Sequence, residues 1–437
     1  MVKLEYLLKI DKQWMKVKDW WNDIKISDEL YPKEFKKVNI EEKDIFKIKY
    51  LYIIKNIFNI EDITKAHKIN ILNFHINDIN IFKPLIEDDY QIKNIISYFL
   101  NFNNYFNLIK KKIKTIVEPL LTNIYFNKLF RCDNDLTRLC CPIMACIVYI
   151  YIIYRDIEKT INLSLSFDNI PIQFFVISYL ILDNFLDDVS YDKENKIIFF
   201  KWFMNIVNNP EKEVILKEEE NKIWQCIIFK EYYCKFVEKY PVNDNKVLYD
   251  FVKLMIHILK EMDTLQKKNK EDDILLECTF KKSYVACFFM IIILNNYTQY
   301  DLNKKDIFLF SKFLFLVQLY DDYLDINKDI IENNNTYLTT NNIDNKIKKI
   351  IISSIIFIND LNEKNIHVSN SINYFLKYIL IYISYMNKDK IDECLINYLL
   401  EYSYFTIDLL NYFDKDSYNQ YNDSIILTIF KKYILSE

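Results

Sequence analysis

The chain has 437 residues, 51% of them hydrophobic and 27% charged, with a formal net charge of −4 and no glycine. Average usage would place roughly 30 glycines in a chain of this length. Their absence excludes motifs that need positive φ or close backbone approach, such as P-loops, dinucleotide-binding glycine turns, kinase glycine loops and G-x-S-x-G elbows. Mild acidity and dispersed lysines argue against nucleic acid as a partner.

Gly, Ala and Pro codons are G/C-rich, and alanine and arginine are also scarce, so an A/T-rich coding sequence accounts for much of this bias. Residues 1–110 read as an N-terminal helical extension without a recognisable motif. Residues 111–437 read as the main helical domain, with no linker dividing it. The first 22 residues mix charge and bulk too evenly for a secretion signal.

Apolar residues recur at helical spacing over long windows, and turn-bounded alternating runs are rare, so the fold class is all-α. The pattern predicts helices over 95–106, 139–156, 172–188, 200–207, 223–238, 247–267, 280–294, 305–325, 347–361, 372–385 and 391–410. The Asn-rich stretch 333–346 reads as a loop. The uncharged run 139–154 falls short of the ~20 residues that a membrane span needs, which makes it a buried helix.

Nine cysteines are scattered without a C-x-x-C pair, and four histidines stand apart. Structural zinc is therefore not indicated, and reduced thiols in an intracellular protein are expected. Chemistry concentrates instead at two acidic helix ends. In the second, Asp321, Asp325 and Asp329 are spaced by four, drift only about 40° per step and line one helical stripe, with Asp322 beside them.

Like charges at that spacing destabilise a helix unless a cation neutralises them, and oxygen-only ligands suit Mg²⁺. The first cluster repeats the logic: Asp183 and Asp187 share a face, with Asn184 and Asp188 adjacent. All three arginines, Arg131, Arg138 and Arg155, fall in one short segment just before it. Arginine's planar fork grips phosphate bidentately, so a polyanionic substrate is indicated.

These residues together resemble a family. Gln318 three residues before Asp321, Asp322 and Asp325 resembles the second aspartate-rich motif of the trans-isoprenyl diphosphate synthases. Lys282 and Ser283 resemble their diphosphate-binding Lys-Thr, and Asp183, Asn184, Asp187 and Asp188 resemble the first Asp-Asp-x-x-Asp. Arg138 stands where the family has the Lys of Gly-Gly-Lys-Arg. The likeness covers roughly residues 125–345. It departs at Asp192, Lys193 and Glu194, in place of Arg-Arg-Gly, and at Asn334 and Asn335, in place of Gly-Lys.

The resemblance implies the isoprenoid synthase helical bundle with a central apolar cavity. It implies Mg²⁺ held by Asp183, Asn184, Asp187, Asp188, Asp321, Asp322 and Asp325, and a prenyl diphosphate substrate gripped by Arg138, Lys193, Lys282 and Gln318. Asp183, Asp187, Asp321, Asp325 and Lys282 would carry catalysis: ionisation of an allylic diphosphate and its condensation with isopentenyl diphosphate. Tyr179, Phe175, Phe174, Phe288, Phe289 and Tyr320 are the expected cavity walls. Two other readings stay open: a non-catalytic homologue partnering another synthase subunit, and a class I terpene synthase. A homodimer or a heteromer fits either synthase reading.

Overall fold

The computed structural model describes residues 6–25, 111–112, 115–116, 119–120, 122–125, 159, 162–163, 166–182, 192–298, 303–332 and 334–363, together with 397 and 400. Regular structure among them is helical, without strands. None of the described helices is long and apolar enough to cross a membrane. The expected helices over 95–106, 139–156 and 372–385, and all of 391–410 but residues 397 and 400, lie outside the described residues.

Cα proximity divides the chain into two compact units, one of Met1–Ile26 with Lys112–Ser353 and the other of Ser27–Lys111 with Ser354–Glu437. Described residues of the second unit are the end of the last helix below, Lys111, Asn397 and Leu400. The first unit carries the rest and is built from helices numbered here in chain order.

Helix α1 (Ile10–Asp23) buries Ile10, Gln13, Trp14, Val17 and Trp21, a three- and four-residue spacing that makes one apolar stripe. That stripe packs on α7 (Asp272–Thr298) and α8 (Lys304–Leu324). Trp14 meets Phe280 at 5.4 Å and Phe315 at 5.9 Å, and Trp21 meets Phe315 edge-on at 5.3 Å. Lys281, on the same side of α7, closes the joint with Asp11 and Glu277, each at 2.6 Å.

A second aromatic cluster lies where α2 (Ile170–Leu180) meets α5 (Trp224–Lys239). Pro171 at its start suits α2, because the first helical N–H needs no partner and φ is already set. Every side chain described from Pro171 to Ser178 is buried, so α2 is an inner helix rather than an amphipathic one. Phe174 stacks on Phe236 at 4.4 Å and lies within 6.4 Å of Phe289, while Phe175 stacks on Phe289 at 5.4 Å. Such pairs contribute about 0.5–1.5 kcal/mol each beyond area burial.

Helix α6 (Lys246–Lys268) packs along α7, while α3 (Lys193–Asn208) and the short α4 (Glu218–Asn221) pack on each other and on α5, and α3 also on α6. Helix α3 starts seven residues before its expected position, because Asp192 caps it by accepting the Glu194 N–H at 3.3 Å. Helix α8 starts with a reciprocal cap: Asn303 accepts the N–H groups of Lys305 and Asp306, and Asp306 accepts that of Asn303 at 3.0 Å. The α8 chain then runs back along α7, so the end of α8 lies beside the beginning of α7.

The stretch expected as a loop is shorter and better ordered than its composition implies. After α9 (Ile326–Glu332), a 3₁₀ turn at Tyr337–Thr339 buries Tyr337 and Leu338, and α10 (Ile343–Glu363) begins four residues before its expected start. Asn342 takes φ 63°, which asparagine tolerates because its side chain bonds locally.

Candidate acidic site at the end of helix α8

The last turn of α8, its C-cap and the first turn of α9 place four aspartates in two environments. Asp321 and Asp325 are exposed, whereas Asp322 and Asp329 are only 8% and 7% exposed. The expected single stripe of Asp321, Asp325 and Asp329 is thus split. Backbone bonds still link them turn by turn, Asp325 to the Asp321 carbonyl at 3.0 Å and Asp329 to that of Asp325 at 2.8 Å. The helix breaks at Asp325, though, with ψ near zero, and the following turn rotates Asp329 inward. There its Oδ1 accepts the Asn334 amide at 3.1 Å.

Asp322 faces α7. Its Oδ2 accepts the Thr279 hydroxyl at 3.0 Å, and its Oδ1 accepts a long bond of 3.4 Å from Gln318. Gln318 also donates to Asp321 Oδ2 at 2.8 Å, so one amide ties the exposed carboxylate to the buried one. Burial, then the neighbouring Asp321 charge, pushes the Asp322 carboxyl up to about 7, even though the Thr279 and Gln318 bonds pull the other way. Its donors are neutral, and a neutral donor offsets only part of the cost of a buried charge.

One turn beyond Thr279 on α7, about 4.5 Å along the axis, stands Lys282. Its ammonium donates to Gln266 Oε1 in the last turn of α6. The backbone carbonyl of Gln266 in turn accepts the Asn335 amide at 2.9 Å. Ser283, the expected second half of a Lys-Thr pair, is buried and donates back to the Phe280 carbonyl at 3.0 Å. Lys193 stands exposed at the first residue of α3.

The structure therefore brings Gln318, Asp321 and Asp322 into bonded contact, and Thr279 joins Asp322 to the helix that carries Lys282. Asp183, Asn184, Asp187, Asp188 and Arg138, like the other two arginines and the Tyr179 side chain, lie outside the described residues. The remaining wall candidates, Phe174, Phe175, Phe288, Phe289 and Tyr320, are all buried.

Sequence reasoning missed Thr279, Gln266 and the inward roles of Asn334 and Asn335. The available signal for the first two was a lone uncharged polar residue on the inner face of a helix, which a buried chain keeps only with a partner. Burial raises all four described thiols, Cys226 and Cys287 to about 12, Cys278 to about 11 and the exposed Cys234 upward as well, which disfavours a thiolate nucleophile.

Two exposed carboxylates one turn apart, in an all-oxygen setting, suit a hard divalent cation that takes its remaining ligands from substrate and water. Among the described residues no three His, Cys, Asp or Glu side chains form a metal-holding group by themselves. No family model, curated protein or solved structure matches this chain.

Proposed function

We propose that this chain is a divergent Mg²⁺-dependent trans-prenyltransferase, a prenyl diphosphate synthase that condenses an allylic diphosphate with isopentenyl diphosphate on an isoprenoid-synthase-like helical bundle. The observation that supports it most directly is the pairing of exposed Asp321 and Asp325 with a Lys282 ammonium carried on the helix that Asp322 bonds. In this reading Asp321 and Asp325 would hold Mg²⁺, which would supply neutralisation of the charge that grows on departing pyrophosphate. Asp322, turned toward Thr279, positions the turn rather than serving as a ligand.

Gln318 orients the Asp321 carboxylate, and Lys282 donates to a diphosphate oxygen, stabilising charge that develops in the transition state. Asp183, Asn184, Asp187, Asp188, Arg138 and Lys193 complete the reading from the sequence side. The aromatic interior supplies apolar surroundings for an isoprenoid tail and excludes water from the cation left by ionisation.

Purified protein with Mg²⁺ and geranyl, farnesyl or geranylgeranyl diphosphate, with and without isopentenyl diphosphate, tests this. Elongation is expected only when isopentenyl diphosphate is present, and joint Asp321→Ala and Asp325→Ala substitution should lower the rate by about 10²-fold or more. Pyrophosphate release and a hydrocarbon product without isopentenyl diphosphate would transfer the proposal to a class I terpene synthase.

A second reading, a non-catalytic homologue that partners another synthase subunit, is favoured by Asn334 and Asn335. Both side-chain amides at the position of the family's Gly-Lys bond inside the fold. No turnover with any of these substrates, together with unchanged cellular function of the double aspartate variant, selects this reading.

A further inference from the structure

We infer that Gln266 is a positioning residue for Lys282, holding its ammonium directed for an anion. This deepens the reading of the acidic site as a diphosphate site and rests on it. Gln266 is only 3% exposed although it lies in the last turn of α6, and both of its oxygens are occupied. Its main-chain carbonyl belongs to the last four of the helix, which have no partner within it. Asn335 satisfies that carbonyl at 2.9 Å and so fixes the residue's place. Its side-chain Oε1 is then presented to Lys282.

The neutral acceptor matters. An ammonium has three N–H donors, and a single amide oxygen takes one of them without removing the charge. Neighbouring Lys281 shows the opposite arrangement: its ammonium is closed between the carboxylates of Asp11 and Glu277 at 2.6 Å each. Lys346 likewise meets Asp272 at 2.5 Å. Lys282 has no carboxylate partner among the described residues, which leaves two donors on an ammonium carried one turn along α7 from the Thr279 that Asp322 bonds.

The position after the second acidic motif thus acts indirectly. Asn335 braces Gln266, Gln266 aims Lys282, and Lys282 meets the anion. A flexible lysine held this way loses less freedom when it binds, so release from Gln266 weakens anion binding even though no contact to the anion is removed.

Binding calorimetry with inorganic pyrophosphate and Mg²⁺ tests the chain of contacts on the full-length protein, with melting temperature as a folding control. Lys282→Ala should weaken binding about 30-fold and Gln266→Leu about five- to tenfold. In the Lys282→Ala background Gln266→Leu should change affinity by less than about twofold, because the effect passes through the lysine.

Gln266→Glu preserves shape but should close the ammonium with a carboxylate, and affinity should fall as far as with Lys282→Ala. Equal effects of Gln266→Leu in both backgrounds, or wild-type affinity in Gln266→Glu, would overturn the inference alone. Absence of pyrophosphate binding by the wild-type protein would overturn the diphosphate reading together with it.

Discussion

One aspartate begins α7 and another bonds to it from α8, and their surroundings are opposite. Asp272, at the first residue of the helix, is half-exposed and meets the buried ammonium of Lys346, with the Thr340 hydroxyl donating at 2.8 Å. Asp322, at the end of α8, is buried against Thr279 and Gln318 and has two further aspartates as its charged neighbours. The first is a finished structural joint, in which the cation is inside and the anion reaches water. The second holds a carboxyl where its charge is least favourable, which stability alone does not require. A fold keeps such a group when the surrounding turn has another use, and this is the physical ground for placing function at Asp321 and Asp325.

The largest effect expected from this contrast is a pH dependence. The folded state keeps a proton on Asp322 up to about pH 7, whereas an unfolded aspartate gives it up near 4. Stability is therefore fully present below pH 4 and falls as pH rises through 7, by on the order of 4 kcal/mol if the whole difference is realised. Urea denaturation at pH 5 and pH 8 should show about 2.5 kcal/mol of that loss, the part that falls above pH 5, and Asp322→Asn should flatten it while leaving Asp272 intact. A flat wild-type profile would break the contrast.

A smaller loss is expected from the other joint. Lys346→Met removes the ammonium that also donates to the Tyr337 carbonyl at 3.0 Å, and should cost about 2 kcal/mol at both pH values, less than a fully buried pair because Asp272 reaches solvent. The smallest effect belongs to a neighbouring surface pair. Lys18 and Asp273 meet at 3.0 Å with side chains 29% and 68% exposed, so Lys18→Ala should change stability by no more than about 0.5 kcal/mol. If that pair mattered as much as Lys346, exposure would not be what separates these joints.

Much of the frame was legible because apolar spacing survives a biased composition. The α6 and α8 ranges agree with expectation to within one residue at each end. Helix starts were harder to read: α7 begins eight residues early, with Asp272 and Asp273 at its N-terminus, where acidic residues suit the helix dipole, followed by buried Leu275 and Leu276 in a run too short to show a helical period. Helix α1 was hidden for a related reason, since Lys and Asp alternate with its buried tryptophans.

At the site, spacing predicted the facing of Asp321 and Asp325 but not that of Asp329, which depends on a helix break one residue long. Thr279 beside Asp322 and Gln266 beside Lys282, 43 and 16 positions away, come from tertiary packing. No local pattern encodes them.

The bond from Tyr284 to the Leu7 carbonyl, 3.1 Å long, spans 277 positions of sequence. With Trp14 and Trp21 seated on Phe280 and Phe315, it means that α1 has no surface to pack on until α7 and α8 have been made. At about 5–20 residues per second, synthesis of the intervening chain takes roughly 15–55 s. Over that interval two tryptophans of the nascent chain await their binding face. Helix α1 is thus made long before the surface on which it docks, a long-range closure of the kind that slows folding.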